Sequence, residues 1–246
     1  MRGEFEIYKI DLHVHTSESS YCGRVSAWQI VKGYAAAGFN AFVVTDHYDE
    51  EFFNRFTQMS WHEKVDQYLV GYRTAKTLGK RLDIDVFLGL EFRDTSCAND
   101  YLIYGLTEDF LYSAPELYKH NILEASEIFR NAGGFVSQAH PMRYGASTPA
   151  APAALDAVEV YNGSTHWYYD AEGTQKFAQS NGLVELSGTD MHWENEIGSG
   201  GVILPKRPKN NAELVELLRS KHTLIKNDVS YIANPWNMKE KQAIQS

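Results

Sequence analysis

The chain is poor in cysteine: Cys22 and Cys97 are its only two, too few for a disulfide framework. No run approaches the ~18 consecutive apolar residues that a membrane span needs. The opening residues, MRGEFEIYKIDLHVH, hold no long apolar stretch of the kind found in secretory leaders, so a cytoplasmic protein is expected. Positive charge is also scarce. Lys and Arg number 23 against 32 Asp and Glu, a formal net charge of −9, and no basic run or basic helix face stands out. A long polynucleotide gripped by its phosphates is therefore disfavoured. A small anion is not, because bound divalent cations can invert a local field. Gly and Pro are not in excess, and there is no low-complexity tract, linker or internal repeat. One domain over residues 1–246 is expected, with its oligomeric state open.

What the chain does have is core material, with 43% hydrophobic and 13% aromatic residues. Short apolar runs recur at Glu6–Asp11, Ala41–Thr45, Asp85–Leu90, Tyr101–Tyr104, Phe135–Gln138, Ala157–Tyr161, Leu183–Ser187, Val202–Leu204 and Thr223–Ile225. Most are continuously apolar, as strands buried on both faces are. Amphipathic stretches lie between them. Ser26 and Gln29 form a capping-box signature before Ile30, Val31, Tyr34 and Ala35, and Gly38 is the stop. Trp61, Val65, Tyr68, Leu69, Tyr72 and Ala75 share one helical face. Further helices are expected over 122–132, 170–181 and 211–220. This alternation predicts a parallel sheet, closed into a barrel. An open doubly wound sheet is the alternative.

The ligand-type side chains sit at the ends of those runs. Asp11-Leu12-His13-Val14-His15 ends the first, Thr45-Asp46-His47 the second and Gly89-Leu90-Glu91 the third. Ala139-His140-Pro141 follows Gln138, and Gly188-Thr189-Asp190-Met191-His192 follows Ser187. In parallel α/β barrels the carboxyl ends of the strands carry the active site. Side chains two apart on a strand point the same way, so His13 pairs with His15, and Asp190 with His192 if the strand runs through them. Imidazoles with carboxylates suit Zn, Mn or Fe. An isolated HxH, Thr-Asp-His or His-Pro can be a surface pair, a turn or a packed histidine; the conjunction of five is what points to metal. His62, His120 and His222 read as structural, and His166 is a weaker candidate.

In this order the motifs resemble the PHP (polymerase and histidinol phosphatase) family, over nearly the whole stretch from Asp11 to His192. The resemblance implies a distorted (β/α)7 TIM-like barrel with a metal cluster at the strands' carboxyl end. It implies that His13, His15, Glu91 and Asp190 hold a first ion, that Glu91 bridges to a second bound by His140, and that His47 and His192 hold a third. Asp46 would orient a neighbouring histidine. Two positions depart from the family pattern, which usually has a further histidine after the first motif and another before the fourth strand. Asp100 stands where the latter would be and is taken as a ligand. Near the former are Ser20, Tyr21 and Cys22, and Cys22 is read as a non-ligand. Two tight ions and a weaker third follow.

The implied activity is metal-dependent hydrolysis of a small phosphate ester, with the metals lowering the pKa of a bridging water and clamping phosphoryl oxygens. Glu91, Asp190, His192 and Arg143 form the expected catalytic set. Arg143 is expected to fork onto phosphate, with Arg24 and Arg93 as weaker versions of that role. Asn162 is a candidate donor to substrate. Tyr104, Tyr161 and Trp193 read as core or pocket wall. Two alternatives stand: a C–N hydrolase of the amidohydrolase type, whose bridging lysine has no counterpart at a strand end here, and a non-catalytic metal-binding domain.

Overall fold

The computed structural model describes residues 7–164, 168–220 and 222–227. Glu6, at the start of the first expected strand, and His166 lie outside them. The strands are β1 Tyr8–Val14, β2 Ala41–Val44, β3 His47–Tyr48, β4 Asp85–Arg93, β5 Asp100–Tyr104, β6 Phe135–Gln138, β7 Ala157–Asn162, β8 Val184–Gly188, β9 Gly200–Leu204 and β10 Thr223–Lys226. The helices are α1 Ala27–Ala36, α2 Glu50–Asn54, α3 Trp61–Tyr68, α4 Val70–Leu82, α5 Glu108–Ser113, α6 Ile122–Asn131, α7 Ala171–Ser180 and α8 Asn211–Arg219.

Local chemistry accounts for the helix starts. Ser26 and Ser60 each close a capping box, and Asn121, Asp170 and Asn210 accept from the first-turn amides. The long amphipathic face from Trp61 to Ala75 is divided at Leu69 into α3 and α4.

The sheet runs β10-β9-β1-β2-β4-β5-β6-β7-β8, with β3 paired to β4. β1–β2, β2–β4, β6–β7 and β7–β8 are parallel. The expectation of a parallel sheet fails at β5, which is antiparallel to both β4 and β6, and at β9, antiparallel to β1 and β10. The reason at β5 is length. Residues 94–99 alone join it to β4, and a parallel return needs a dozen or more.

Side chains of β1, β2, β4, β5, β6, β7, β8 and β9 meet in one apolar cluster, among them Ile10, Val43, Phe87, Tyr104, Leu186 and Val202, joined by Leu214 and Leu218 of α8. Only the interior of a barrel brings so many strands together. The opposite faces, with Phe42, Val44, Leu88 and Ile103, are covered by Ile30 and Tyr34 of α1, Ala75 of α4 and Phe129 of α6. The circle closes where β1 ends. Val14 bridges Met191 in parallel, His15 N–H donates to Met191 O and Met191 N–H to His13 O, each at 3.2 Å. Asp11 clips the same seam, accepting from Thr189 N–H at 3.0 Å and from the Thr189 hydroxyl. The sheet is thus the distorted, barrel-like α/β fold that the sequence implies. Among the described residues no helix is long and apolar enough to cross a membrane.

Candidate metal centre

β1 carries a register irregularity between Asp11 and Val14, of the kind that re-aims side chains beside active sites. His13 and His15 emerge from it with their Nε2 atoms 3.2 Å apart. Glu91 follows Phe87 and Gly89 at a spacing of two, so it faces the barrel interior with them. β3 places His47 directly beside it in register. Glu91 Oε1 lies 3.0 Å from His140 Nε2 and 3.3 Å from His13 Nε2, and its Oε2 lies 3.3 Å from His15 Nε2 and 3.0 Å from His47 Nδ1. Asp190 Oδ1 is 3.2 Å from His15 Nε2 and 3.4 Å from His13 Nε2. Every one of these groups is buried.

Asp190 and His192 do not share a continuing strand. β8 stops at Gly188, and Asp190 takes a left-handed backbone, φ 56°. His140 and Met142 are also left-handed, φ 27° and 59°. Such conformations are uncommon for residues with a side chain and gather at functional sites.

Hydrogen-bond accounting decides which imidazole nitrogen is open. Glu159 Oε1 lies 3.0 Å from His13 Nδ1, and a carboxylate only accepts, so the proton is on Nδ1. Ser20 gives its one hydroxyl proton to Asp46 Oδ1 at 2.7 Å and must therefore accept from His15 Nδ1, 3.1 Å away. His192 Nδ1 faces the carbonyl of Asp190 at 2.7 Å. Three imidazoles thus have Nδ1 engaged and turn Nε2 toward the cluster, the orientation that metal-binding histidines adopt. His140 Nδ1 is buried without a hydrogen-bond partner, and Glu91 Oε2 and His47 Nδ1 face each other at 3.0 Å in poor hydrogen-bond geometry. This donor set fits divalent cations.

The electrostatics agree. Burial alone would raise Glu91, yet His47 and His13 hold it well below the ordinary carboxylate range. Asp190 is likewise lowered against burial by His13 and His192. His13 and His47 are pushed above the ordinary histidine value against burial, chiefly by Asp190 and Glu91 respectively, and His192 rises to about 9 beside Asp190. His15 goes the other way, down to about 3, because burial dominates there. Without cations, protons supply the positive charge that the carboxylates need.

Four triads of ligand-type atoms lie within 4.8 Å of one another: His13, His15 and Glu91; His13, His140 and Asp190; His47, Glu91 and Asp100; and His15, Cys22 and His192. Together they bring in all eight residues expected as ligands, and they add Cys22, which the sequence reading left out. Asp100 is shared, since both its oxygens accept from Arg93, at 2.7 and 2.9 Å, across the β4–β5 register pair. Arg143 Nη2 sits 2.6 Å from Asp190 Oδ2, and Asn162 Nδ2 donates to Glu159 and Asp190 at 2.9 and 3.2 Å. Asp46 touches the side chain of His15 only through Ser20. Tyr104 is core, its hydroxyl on Leu12 O, while Trp193 is exposed. His62 stacks on Tyr112, His120 pairs with Glu124, and His222 meets Glu185 O.

A model of the PHP domain family matches residues 11–228. Among solved structures, the fold is similar to a two-domain protein from Bacteroides vulgatus ATCC 8482 described as containing a predicted PHP-like metal-dependent phosphoesterase. The TM-score is 0.64 at 17% identity, covering 90% of this chain and 65% of that one, so this chain spans slightly less than two thirds of its length. PsfC from Pseudomonas syringae PB-5123 is similar at a TM-score of 0.62 and 14% identity, over 97% of this chain and 99% of that one. An amidohydrolase from Chromobacterium violaceum, with bound sulfate and no metal, has a TM-score of 0.51 and 16% identity, over 74% and 87%. No curated protein matches. At these identities the likenesses concern the fold.

Proposed function

Because this chain belongs to the PHP domain family, we propose that it is a metal-dependent hydrolase of small phosphate mono- or diesters. Two or three divalent ions would be held by His13, His15, His47, Glu91, Asp100, His140, Asp190 and His192. One observation carries the reading: imidazoles and carboxylates from separate strand ends converge with their ligand-type atoms within 4.8 Å of one another. When bound, such ions supply a water acidified toward neutrality and positive charge for a phosphoryl group.

The chain's own residues do the rest. Glu91 lies among four imidazoles, so it can be shared between ions. Arg143, anchored on Asp190, stands at the edge of the cluster and adds a charge-assisted hydrogen bond to a phosphoryl oxygen. A cytoplasmic location and a substrate other than a long polynucleotide belong to the same proposal.

Screening metal-loaded protein against a panel of phosphoesters tests it. Turnover that a chelator abolishes and Mn or Zn restores is expected, and Glu91→Gln should lower it by orders of magnitude while the fold survives. Full activity in metal-free protein sinks the reading. Likeness to the amidohydrolase supports hydrolysis of a C–N bond as a second reading, and amides in the same panel decide between them.

A further inference from the structure

The stretch after His15 folds back on itself. Ser20 N–H donates to Thr16 O at 2.9 Å, Ser17 N–H to Val25 O at 3.0 Å, and Arg24 N–H to His192 O at 3.3 Å. Gly23 packs so closely on Thr16 that a Cβ there would lie 2.5 Å from the Thr16 carbonyl oxygen. The loop is therefore tied both to β1 and to the backbone of His192.

Cys22 rides on this loop. Its sulfur lies within 4.8 Å of ligand nitrogens of His15 and His192, and the thiol interacts with both His192 and His47. Tyr21, the residue before it, stacks on the His47 ring at 4.9 Å and 11° and fixes that ring in place. His47 Nδ1 and Glu91 Oε2, both buried in the same cluster, face each other at 3.0 Å in poor hydrogen-bond geometry. His15 and His192 supply two imidazoles within reach of the sulfur, and His47 stacks on His15 at 4.8 Å on the same side of the centre.

We propose that Cys22 is a metal ligand: its thiolate joins His15 and His192, beside His47, at the position that the sequence leaves short of a donor. A sulfur donor there favours thiophilic ions such as Zn2+, Fe2+ and Co2+ over Mn2+ and Mg2+. The third ion is then held as firmly as the other two. This deepens the metallohydrolase reading and rests on its cation cluster, though not on the bond that the enzyme cleaves.

Cobalt loading of the metal-free protein tests it, read by the near-ultraviolet thiolate-to-cobalt charge-transfer band and by metal content after dialysis. The wild type should show the band. Cys22→Ser should lose it together with about one equivalent of cation, while Cys97→Ser, altering an exposed thiol, keeps both. Cys22→His should regain the cation without the band, which separates a lost ligand from a damaged fold. Bound cation should also shield Cys22, but not Cys97, from iodoacetamide. A wild type without the band, or a band and stoichiometry unchanged in Cys22→Ser, overturns the proposal even in an active phosphoesterase. A band lost with Cys22 alone supports it even if no phosphoester is hydrolysed.

Discussion

Glu159 holds His13 by its side chain and His140 by its backbone. Oε1 lies 3.0 Å from His13 Nδ1, and Oε2 accepts the N–H of His140 at 2.9 Å. One buried carboxylate thus sets the tautomer of one expected ligand and the position of another. Glu159→Ala should weaken metal binding by about 10–100-fold, the usual cost of losing such a partner. Glu159→Gln, which can still accept through its carbonyl, should fall less. Competition with a chelator measures both; affinity unchanged in the alanine variant would show that His13 needs no support.

Gly188 is the reason this pair fits beneath β8. A Cβ at that position would lie 2.6 Å from Glu159 Oε1 and 2.6 Å from His13 Cβ. Gly188→Ala should cost about 1–3 kcal/mol of stability, as overpacking does, and should lower metal affinity with it. Thermal unfolding and metal titration of the same variant read the two effects. Normal affinity would show that His13 tolerates displacement.

The pH dependence has opposite signs with and without cations. Burial pulls His192 down and Asp190 pulls it further up, from an ordinary value of 6.5 to about 9. In the metal-free protein its contribution to stability is fully present below about 6.5 and is lost as pH rises through about 9. A cation must displace that proton, so metal affinity should rise over the same window. Unfolding of the metal-free protein and metal titrations between these limits check the signs. Affinity independent of pH would show that no proton is displaced there.

Arg143 is fixed by Asp190 at 2.6 Å. If it also meets phosphate, Arg143→Ala should raise KM about tenfold or more, the worth of a hydrogen bond to a charged group. Lysine, which cannot fork, should restore only part. Steady-state kinetics with metal content held constant test this; an unchanged KM confines Arg143 to orienting Asp190.

Asp100 is gripped by Arg93 on both oxygens and lies near His47 and Glu91. If it is a ligand, Asp100→Ala should lose about one equivalent of metal on dialysis. Unchanged stoichiometry would leave it as the partner of Arg93 alone.

The ends of the strands were legible because His, Asp and Glu interrupt apolar runs there. The capping pair Ser26 and Gln29 gave the start of α1 for the same local reason. What lay hidden depends on contacts distant in sequence. Glu159 falls inside an apolar strand, and its partner His13 is 146 residues away; a lone charge in such a strand was the available signal. Ser20 is one serine among several and gains its role only from Asp46 and His15. Cys22 follows from a loop that returns to His192, and no spacing rule reports that. The reversed β5 was implicit in the short link from β4.

The Val14–Met191 seam also fixes an order of events in time. A chain being synthesised presents His13 and His15 long before Asp190 and His192 exist. Asp11 cannot find Thr189, 178 residues later, until the rest of the barrel is in place. A chain halted before β8 therefore carries His13, His15 and Glu91, but lacks the Asp190 and His192 that two of the four triads need. If the cluster binds cations as proposed, capture by the complete donor set would come at the end of folding, and a filled centre would mark a finished barrel.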